Sequence, residues 1–249
     1  MHKFFVDESN IHKDSICIVG ENVNHIVKVL RMKNGDKILV SNGRGKEYIC
    51  SLSNLSTKEV ICDIIYEMEN KTEPPVSITL FQGLPKAQKM DLIVQKCVEI
   101  GVSKIQPVIT SRVVVKTEGK DITGKLERWQ RIAEEAAKQS NRGTIPKIFK
   151  PISFEKSIEM LGNMDLTIVP YEREESLGIK NVLKNGMTYK DIGIFIGPEG
   201  GFEEYEIERC LKAGIKPVTL GPRILRTETA GFVASTMILY EIGDMGGKG

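Results

Sequence analysis

The sequence predicts an α/β protein, with a helix-covered parallel sheet over residues 74–249 and a small β-rich domain before it over residues 1–73. Three observations carry this. Beyond Pro74-Pro75, apolar runs of strand length alternate with segments of helical period. Ahead of it lie short β-branched runs around an Asn-Gly turn signal. The polar stretch between them closes on two prolines, which disfavour helix and cannot donate to a ladder. At 249 residues the chain is long enough for two such cores.

In order along the chain, His25–Arg31 predicts a short helix ended by Lys33-Asn34-Gly35-Asp36. Lys37–Ser41 and a run through Tyr48-Ile49-Cys50 flank Asn42-Gly43, the pair that tolerates the positive φ angles of a type I′ hairpin turn. Glu59–Tyr66 predicts another strand, and Glu67–Pro75 reads as a linker that places the domain boundary near residue 74. Further strands are expected at Val76–Phe81, Ile105–Ile109, Leu166–Val169, Ile192–Ile196 and Pro217–Leu220. Met90, Ile93, Val94, Cys97 and Val98 recur at three and four, an amphipathic helix that Gly101 caps in the left-handed conformation. Leu126, Trp129, Ile132, Ala133, Ala136 and Ala137 repeat the pattern, with Gly143 beyond the end.

Hydrophobic residues at 41% and charged residues at 27% are globular values that exclude a disordered or fibrous chain. No apolar run approaches a membrane span, and the first residues reach Asp7 too soon for a secretory apolar region, so the chain is read as cytoplasmic with no membrane partner. Five widely spaced cysteines give neither a disulfide framework nor a zinc pair. The three histidines, His2, His12 and His25, all precede residue 26, so the rest of the chain builds no His-ligated metal site and no Ser-His-Asp triad, and no metal is expected. Residues 71–150 carry a net +7 within a chain of net +2. Such a segment supplies the electrostatic footprint for a polyanion, and a solvated basic face accounts for it equally well.

Ligands of parallel sheets bind beyond the carboxyl ends of the strands. There Ile196-Gly197-Pro198-Glu199-Gly200-Gly201-Phe202 forms a glycine-rich turn ahead of a helix opening with Glu203-Glu204-x-Glu206. It matches neither phosphate-binding glycine motif, and its carboxylates would repel a phosphate; an uncharged or cationic ligand such as a nucleoside or sulfonium fits better. After the last strand, Leu220-Gly221-Pro222-Arg223-Ile224-Leu225-Arg226-Thr227-Glu228-Thr229-Ala230 leads into a helix of small residues that permits close packing. A third group is basic and polar: Gly83-Leu84-Pro85-Lys86, Lys89, Lys96, Ser111-Arg112 and Gln139-Ser140-Asn141-Arg142. Phosphate and base contacts use such donors, and Lys138 and Arg142 also suit a helix C-terminus.

Taken in order, Gly83–Lys86 with Asp91, Lys96-x-x-Glu99-Ile100-Gly101, Glu135–Arg142, Ile196–Gly201 and Leu220–Ala230 resemble the RsmE family of 16S rRNA (uracil-N3)-methyltransferases. His25–Arg31 and Asn34-Gly35-Asp36 resemble it too, so the likeness covers essentially the whole chain; Lys3 stands where arginine is usual and Ile100 where leucine is. The resemblance implies a PUA-like RNA-binding β-barrel, then a SPOUT-type parallel sheet whose C-terminal part forms a trefoil knot holding S-adenosyl-L-methionine. It implies a homodimer acting on 16S rRNA within the assembled small ribosomal subunit. The implied cofactor pocket is Pro170 and Tyr171, Ile196, Gly197, Pro198, Glu199, Gly200 and Gly201, and Leu220, Gly221, Ile224, Leu225, Arg226 and Thr229. The implied RNA contacts are Lys3, Arg31, Lys86, Lys89, Arg112, Gln139 and Arg142. Arg226 or Arg142 would stabilise the uridine anion and anchor the RNA, and Glu135 or Glu199 would accept the proton or bind ligand. A non-catalytic RNA-binding assembly factor on the same fold is the alternative. A dinucleotide oxidoreductase lacks its glycine fingerprint here.

Overall fold

In a computed structural model, which describes residues 1–113, 120–184 and 187–247, the chain divides into two compact units. The first comprises residues 1–73 and, from much later in the chain, residues 137–145. Its strands are β1 (Lys3–Phe5), β2 (Ser15–Val19), β3 (Lys37–Ser41), β4 (Lys46–Leu55) and β5 (Glu59–Glu69), ordered β1-β3-β4-β5-β2. Only β1 pairs in parallel, with β3. Register shifts at Ile49/Cys50 and Leu52/Asn54 in the β4–β5 pair add local twist, and the sheet curls as a half-barrel. Alternate residues Ile16 and Ile18, Ile38 and Val40, Cys50 and Leu52, Val60 and Cys62 fill its inside with Phe4 and Ile26.

Three local expectations are corrected. The helix read at His25–Arg31 starts earlier, as α1 (Glu21–Asn24), and His25–Val29 is a π turn closed by Leu30 N–H on His25 O at 2.9 Å. The Asn42-Gly43 turn is not type I′, because positive φ falls on Gly43 and Gly45 rather than on Asn42. The longer loop is held instead by Asn42 Oδ1, which accepts from the N–H groups of Arg44 (2.9 Å) and Lys46 (3.1 Å). Glu67–Glu69, read as linker, extends β5, where pairing with Lys46–Tyr48 satisfies their backbone despite exposed side chains.

Residues 137–145 complete this unit. The buried Lys3 ammonium pairs with Glu47 and donates to the carbonyls of Asn141 (3.2 Å) and Arg142. Arg142, its side chain 3% exposed, pairs with Glu73 at 2.7 Å, and Glu73 Oε1 also accepts from the N–H groups of Gly143 (3.0 Å) and Thr144 (3.1 Å). A Cβ on Gly143 would lie 2.4 Å from the Asn70 side chain, so close approach requires that glycine. The left-handed residue of this turn is Asn141 (φ 58).

The second unit is residues 74–136 with 146–247 of the described chain. It runs β6 (Ser77–Gly83), α2 (Lys89–Ile100), β7 (Lys104–Ile109), the greater part of α3 (Lys120–Gln139), β8 (Lys147–Ile148), β9 (Ile152–Ser153), α4 (Phe154–Leu161), β10 (Leu166–Pro170), α5 (Ile179–Leu183), β11 (Asp191–Ile196), α6 (Glu204–Lys212), β12 (Lys216–Val218) and α7 (Thr227–Ile242). The sheet, ordered β12-β10-β11-β6-β7-β8 with β9 also on β7, is parallel throughout, so all its carboxyl ends share one edge. Strands covered on both faces read as continuous apolar runs, which is why the sequence located them. Phe81 and Phe195 face Phe154 of α4 and Phe202, with ring centroids 4.8 Å apart for Phe195 and Phe202. Their neighbours Leu80 and Ile194 turn to the other face, where Gly231 of α7 lets that helix approach Leu80. Gly101 ends α2 at φ 114 as the cap expected there.

Candidate active site

The loops after β6, β7, β10, β11 and β12 meet at the carboxyl edge of this sheet. The β11 loop turns sharply: Gly201, at φ 69, donates its N–H to Pro198 O at 2.9 Å. It is fastened from three sides. Thr227 Oγ1, at the start of α7, donates to Gly197 O at 2.6 Å and accepts from Gln82 Nε2 of β6 at 2.9 Å. Lys86 N–H donates to the Glu199 carboxylate at 3.0 Å. Arg112 donates to Gly200 O and grips Glu203 through two hydrogen bonds of 2.8 and 3.0 Å.

The Glu203-Glu204-x-Glu206 signal is a capping box: Glu203 caps α6 and Glu206 reaches back to the Glu203 N–H at 2.9 Å. Glu206 is fully buried, and its other oxygen accepts from Ser111 N–H at 3.0 Å and Ser111 Oγ at 3.1 Å. The loop after β7 is therefore clamped to the loop after β11. Arg112 holds the Glu203 carboxyl below its ordinary range.

Two cavities open beside these loops. One, of about 470 Å³, lies between Ile196–Phe202 and Ile224–Thr227, with Lys89 in its wall. The other, of about 570 Å³, lies between Pro170–Glu175 and Thr219–Leu225. They share Pro170, Glu172, Ile224, Leu225 and Ala230, and so adjoin. Gly221 stands at φ 111 with open space where a Cβ would be, and its N–H donates to Thr219 Oγ1 at 3.1 Å.

Lys89 Nζ lies 3.1 Å from Glu199 Oε1 and 3.2 Å from Glu228 Oε2, as ion pairs to both carboxylates. Pairing with Glu199 raises the Lys89 pKa against the opposing effect of partial burial, so the amine stays charged. Burial pushes Glu199 up, but its own backbone N–H, Lys89 and the Lys86 N–H outweigh that and leave its carboxyl below the usual range.

Of the residues expected to hold cofactor, Ile196–Gly201 and Arg226 line the smaller cavity, Tyr171, Leu220 and Gly221 the larger, and Pro170, Ile224 and Leu225 both. Thr229 lines neither. Arg226, exposed at the N-cap of α7, has no side-chain hydrogen bond among the described residues. The expected RNA contacts divide. Arg31, Lys86 and Gln139 are exposed. Lys3 and Arg142 are corrected: both are buried in the first unit with their charges spent on Glu47 and Glu73, and neither presents charge to an outside ligand. Arg112 is engaged in the loop clamp, and Glu135 is exposed on α3, lining neither cavity.

Sequence reasoning missed Gln82, Thr227 and the acids after β10. Glu172 lines both cavities, and Glu174 accepts from Ser176 Oγ (2.7 Å) and the Ser176 and Leu177 N–H groups (2.9 Å each). Glu172-Arg173-Glu174-Glu175 at the end of a recognised strand was the available signal. Among the described residues no cluster of His, Cys, Asp or Glu is arranged for a metal, and no helix is long and apolar enough to cross a membrane.

The RNA methyltransferase domain family matches residues 72–239, and the RNA methyltransferase PUA domain family matches residues 18–65. A Bacillus subtilis protein named ribosomal RNA small subunit methyltransferase E is 35% identical over 97% of both chains. Among solved structures, a ribosomal RNA small subunit methyltransferase E from Neisseria gonorrhoeae, bound to S-adenosyl methionine, is 30% identical with a TM-score of 0.88, covering 98% of this chain and 99% of that one. A Legionella pneumophila methyltransferase in complex with the same cofactor is 29% identical with a TM-score of 0.87 and 98% coverage of each chain.

Proposed function

Because this chain belongs to the ribosomal RNA small subunit methyltransferase E family, we propose that it methylates N3 of a uridine in 16S rRNA, using S-adenosyl-L-methionine. The carrying observation is the pair of adjoining cavities between the two glycine loops. They suit this cofactor chemically. Pro170, Ile196, Leu225 and Ala230 offer apolar surface for a nucleoside, and Gly201 and Gly221 bring backbone close in conformations other residues resist. Glu172, Glu174 and Glu199 give the walls the negative charge that a sulfonium and an ammonium group favour. When bound, the cofactor supplies an electrophilic methyl group.

The chain must then orient the base, take the N3 proton and stabilise the anion left behind. N3 lies on the pairing edge, so the target base is bound unpaired or flipped out. Arg226, an exposed cation lining the smaller cavity, draws in the RNA backbone and stabilises negative charge beside the base. Lys86 and Arg31 offer exposed charge for phosphates.

The reading extends to residues 1–73 as the RNA-holding domain, to a knot formed as the last segment returns, and to a homodimer on the assembled subunit. Supporting the knot, α7 follows edge strand β12 yet packs back on α2, β6 and β11. Supporting the dimer, α2 and α7 pack together and expose Leu92, Met237 and Tyr240.

The test is methyl transfer from labelled cofactor to isolated small subunits and to naked 16S rRNA, with titration calorimetry for the cofactor. Labelled subunits, with Arg226→Ala slower by about 100-fold, are expected. Cofactor heat without label would redirect the activity to another RNA. Neither heat nor label would make the protein a binding-only assembly factor.

A further inference from the structure

Resting on that reading, we propose that the Lys89–Glu199 ion pair reads the uracil edge: Glu199 accepts and then removes the N3 proton, while the Lys89 ammonium donates to the adjacent carbonyl oxygen and stabilises the anion. Both groups line the glycine-loop cavity, 3.1 Å apart, as a donor beside an acceptor. A flipped uracil presents a donor at N3 between two carbonyl acceptors, which complements such a pair. Cytosine carries an acceptor at N3 and would set a lone pair against the carboxylate. Sites that hydrogen-bond one pattern reject another strongly because buried polar groups are left unpaired.

Two other basic candidates, Arg112 and Arg142, are engaged elsewhere. Arg112 is held by Glu203 and Gly200, and Arg142 is buried on Glu73 in the first unit. Lys89 stays fixed because Glu228 of α7 flanks it opposite Glu199. Among the described residues the charged groups about it are Glu199 from the β11 loop, Glu228 and Arg226 from α7 and, in the wall of the same cavity, Glu172 after β10. Lys86 adds its backbone N–H to Glu199.

The balance is simple. The N3–H bond breaks and its proton passes to Glu199 and on to water, which a side chain one-quarter exposed can reach; the N3 electron pair forms the new bond to the methyl carbon as the carbon–sulfur bond of the sulfonium breaks, its electron pair staying on sulfur in the neutral thioether that leaves.

The experiment measures kcat against pH for the whole enzyme and for Lys89→Met, Lys89→Arg and Glu199→Gln, with cofactor affinity by calorimetry. Lys89→Met is expected to lose about 100-fold in kcat near neutral pH while still binding cofactor. Its deficit should shrink toward alkaline pH, where the uridine ionises unaided. Lys89→Arg restores much of the rate, and Glu199→Gln, which keeps an oxygen to accept from the Lys86 N–H, shows the same alkaline recovery as Lys89→Met. A Lys89→Met enzyme with normal kcat overturns the proposal, as does a deficit constant with pH or one confined to cofactor affinity. Should the unaltered enzyme form no 3-methyluridine at all, the function proposed above fails first, and this inference with it.

Discussion

A methyl group added to Gly83 would lie 2.7 Å from both Cδ and the backbone nitrogen of Pro198, and neither can move without shifting the glycine loop. Overpacking of this kind costs about 1–3 kcal/mol, so Gly83→Ala should lower Tm and weaken cofactor binding together, read by thermal melts and calorimetry. Gly83 was legible as part of a motif, but its reason was not, because Pro198 is far along the chain. Lys3 and Arg142 carry the converse lesson. Their residue types suggested RNA contacts, whereas the partners that bury them, Glu47 and Glu73, are remote in sequence. Glu47→Ala strands a buried ammonium and should destabilise the first unit by about 3–5 kcal/mol, measured by chemical denaturation.

Elements were legible where periodicity governed them. The five strands expected after residue 74 appear because covered parallel strands are continuously apolar, and α2 and α3 because their buried residues recur at helical spacing. The two-residue strands β8 and β9 and the short α4 and α5 fell below that signal. The clamp between the β7 loop and α6 was likewise invisible, since its parts lie about ninety residues apart: Ser111 with Glu206, Arg112 with Glu203. Arg112→Ala should weaken cofactor binding with little change in Tm, because it braces an exposed loop. Glu203, whose pKa Arg112 depresses, contributes stability that is present above the ordinary carboxyl pKa of about 4.3 and lost as pH falls through its lower folded value. Cofactor affinity should accordingly hold from neutral pH to about 5 and weaken as pH falls further, and this pH dependence should flatten in Arg112→Ala, which lacks the pairing that depresses the Glu203 pKa.

At the scale of the molecule, a family resemblance carried over the whole chain gave the two-part architecture, but the first unit is discontinuous. Residues 137–145 supply Gly143 O to Ser41 Oγ at 3.2 Å and to Gly45 N–H at 3.1 Å, besides the carbonyls that hold Lys3. A fragment of residues 1–73 leaves these buried polar groups unpaired and should not fold to a single state, which amide NMR dispersion would reveal. Nucleoside mass spectrometry shows most directly which atom is methylated. Small subunits from a strain lacking this protein are incubated with enzyme and labelled S-adenosyl-L-methionine, and their RNA is digested to nucleosides. Labelled 3-methyluridine is the predicted result. Label on any other nucleoside, or none in an enzyme that binds the cofactor, would contradict it.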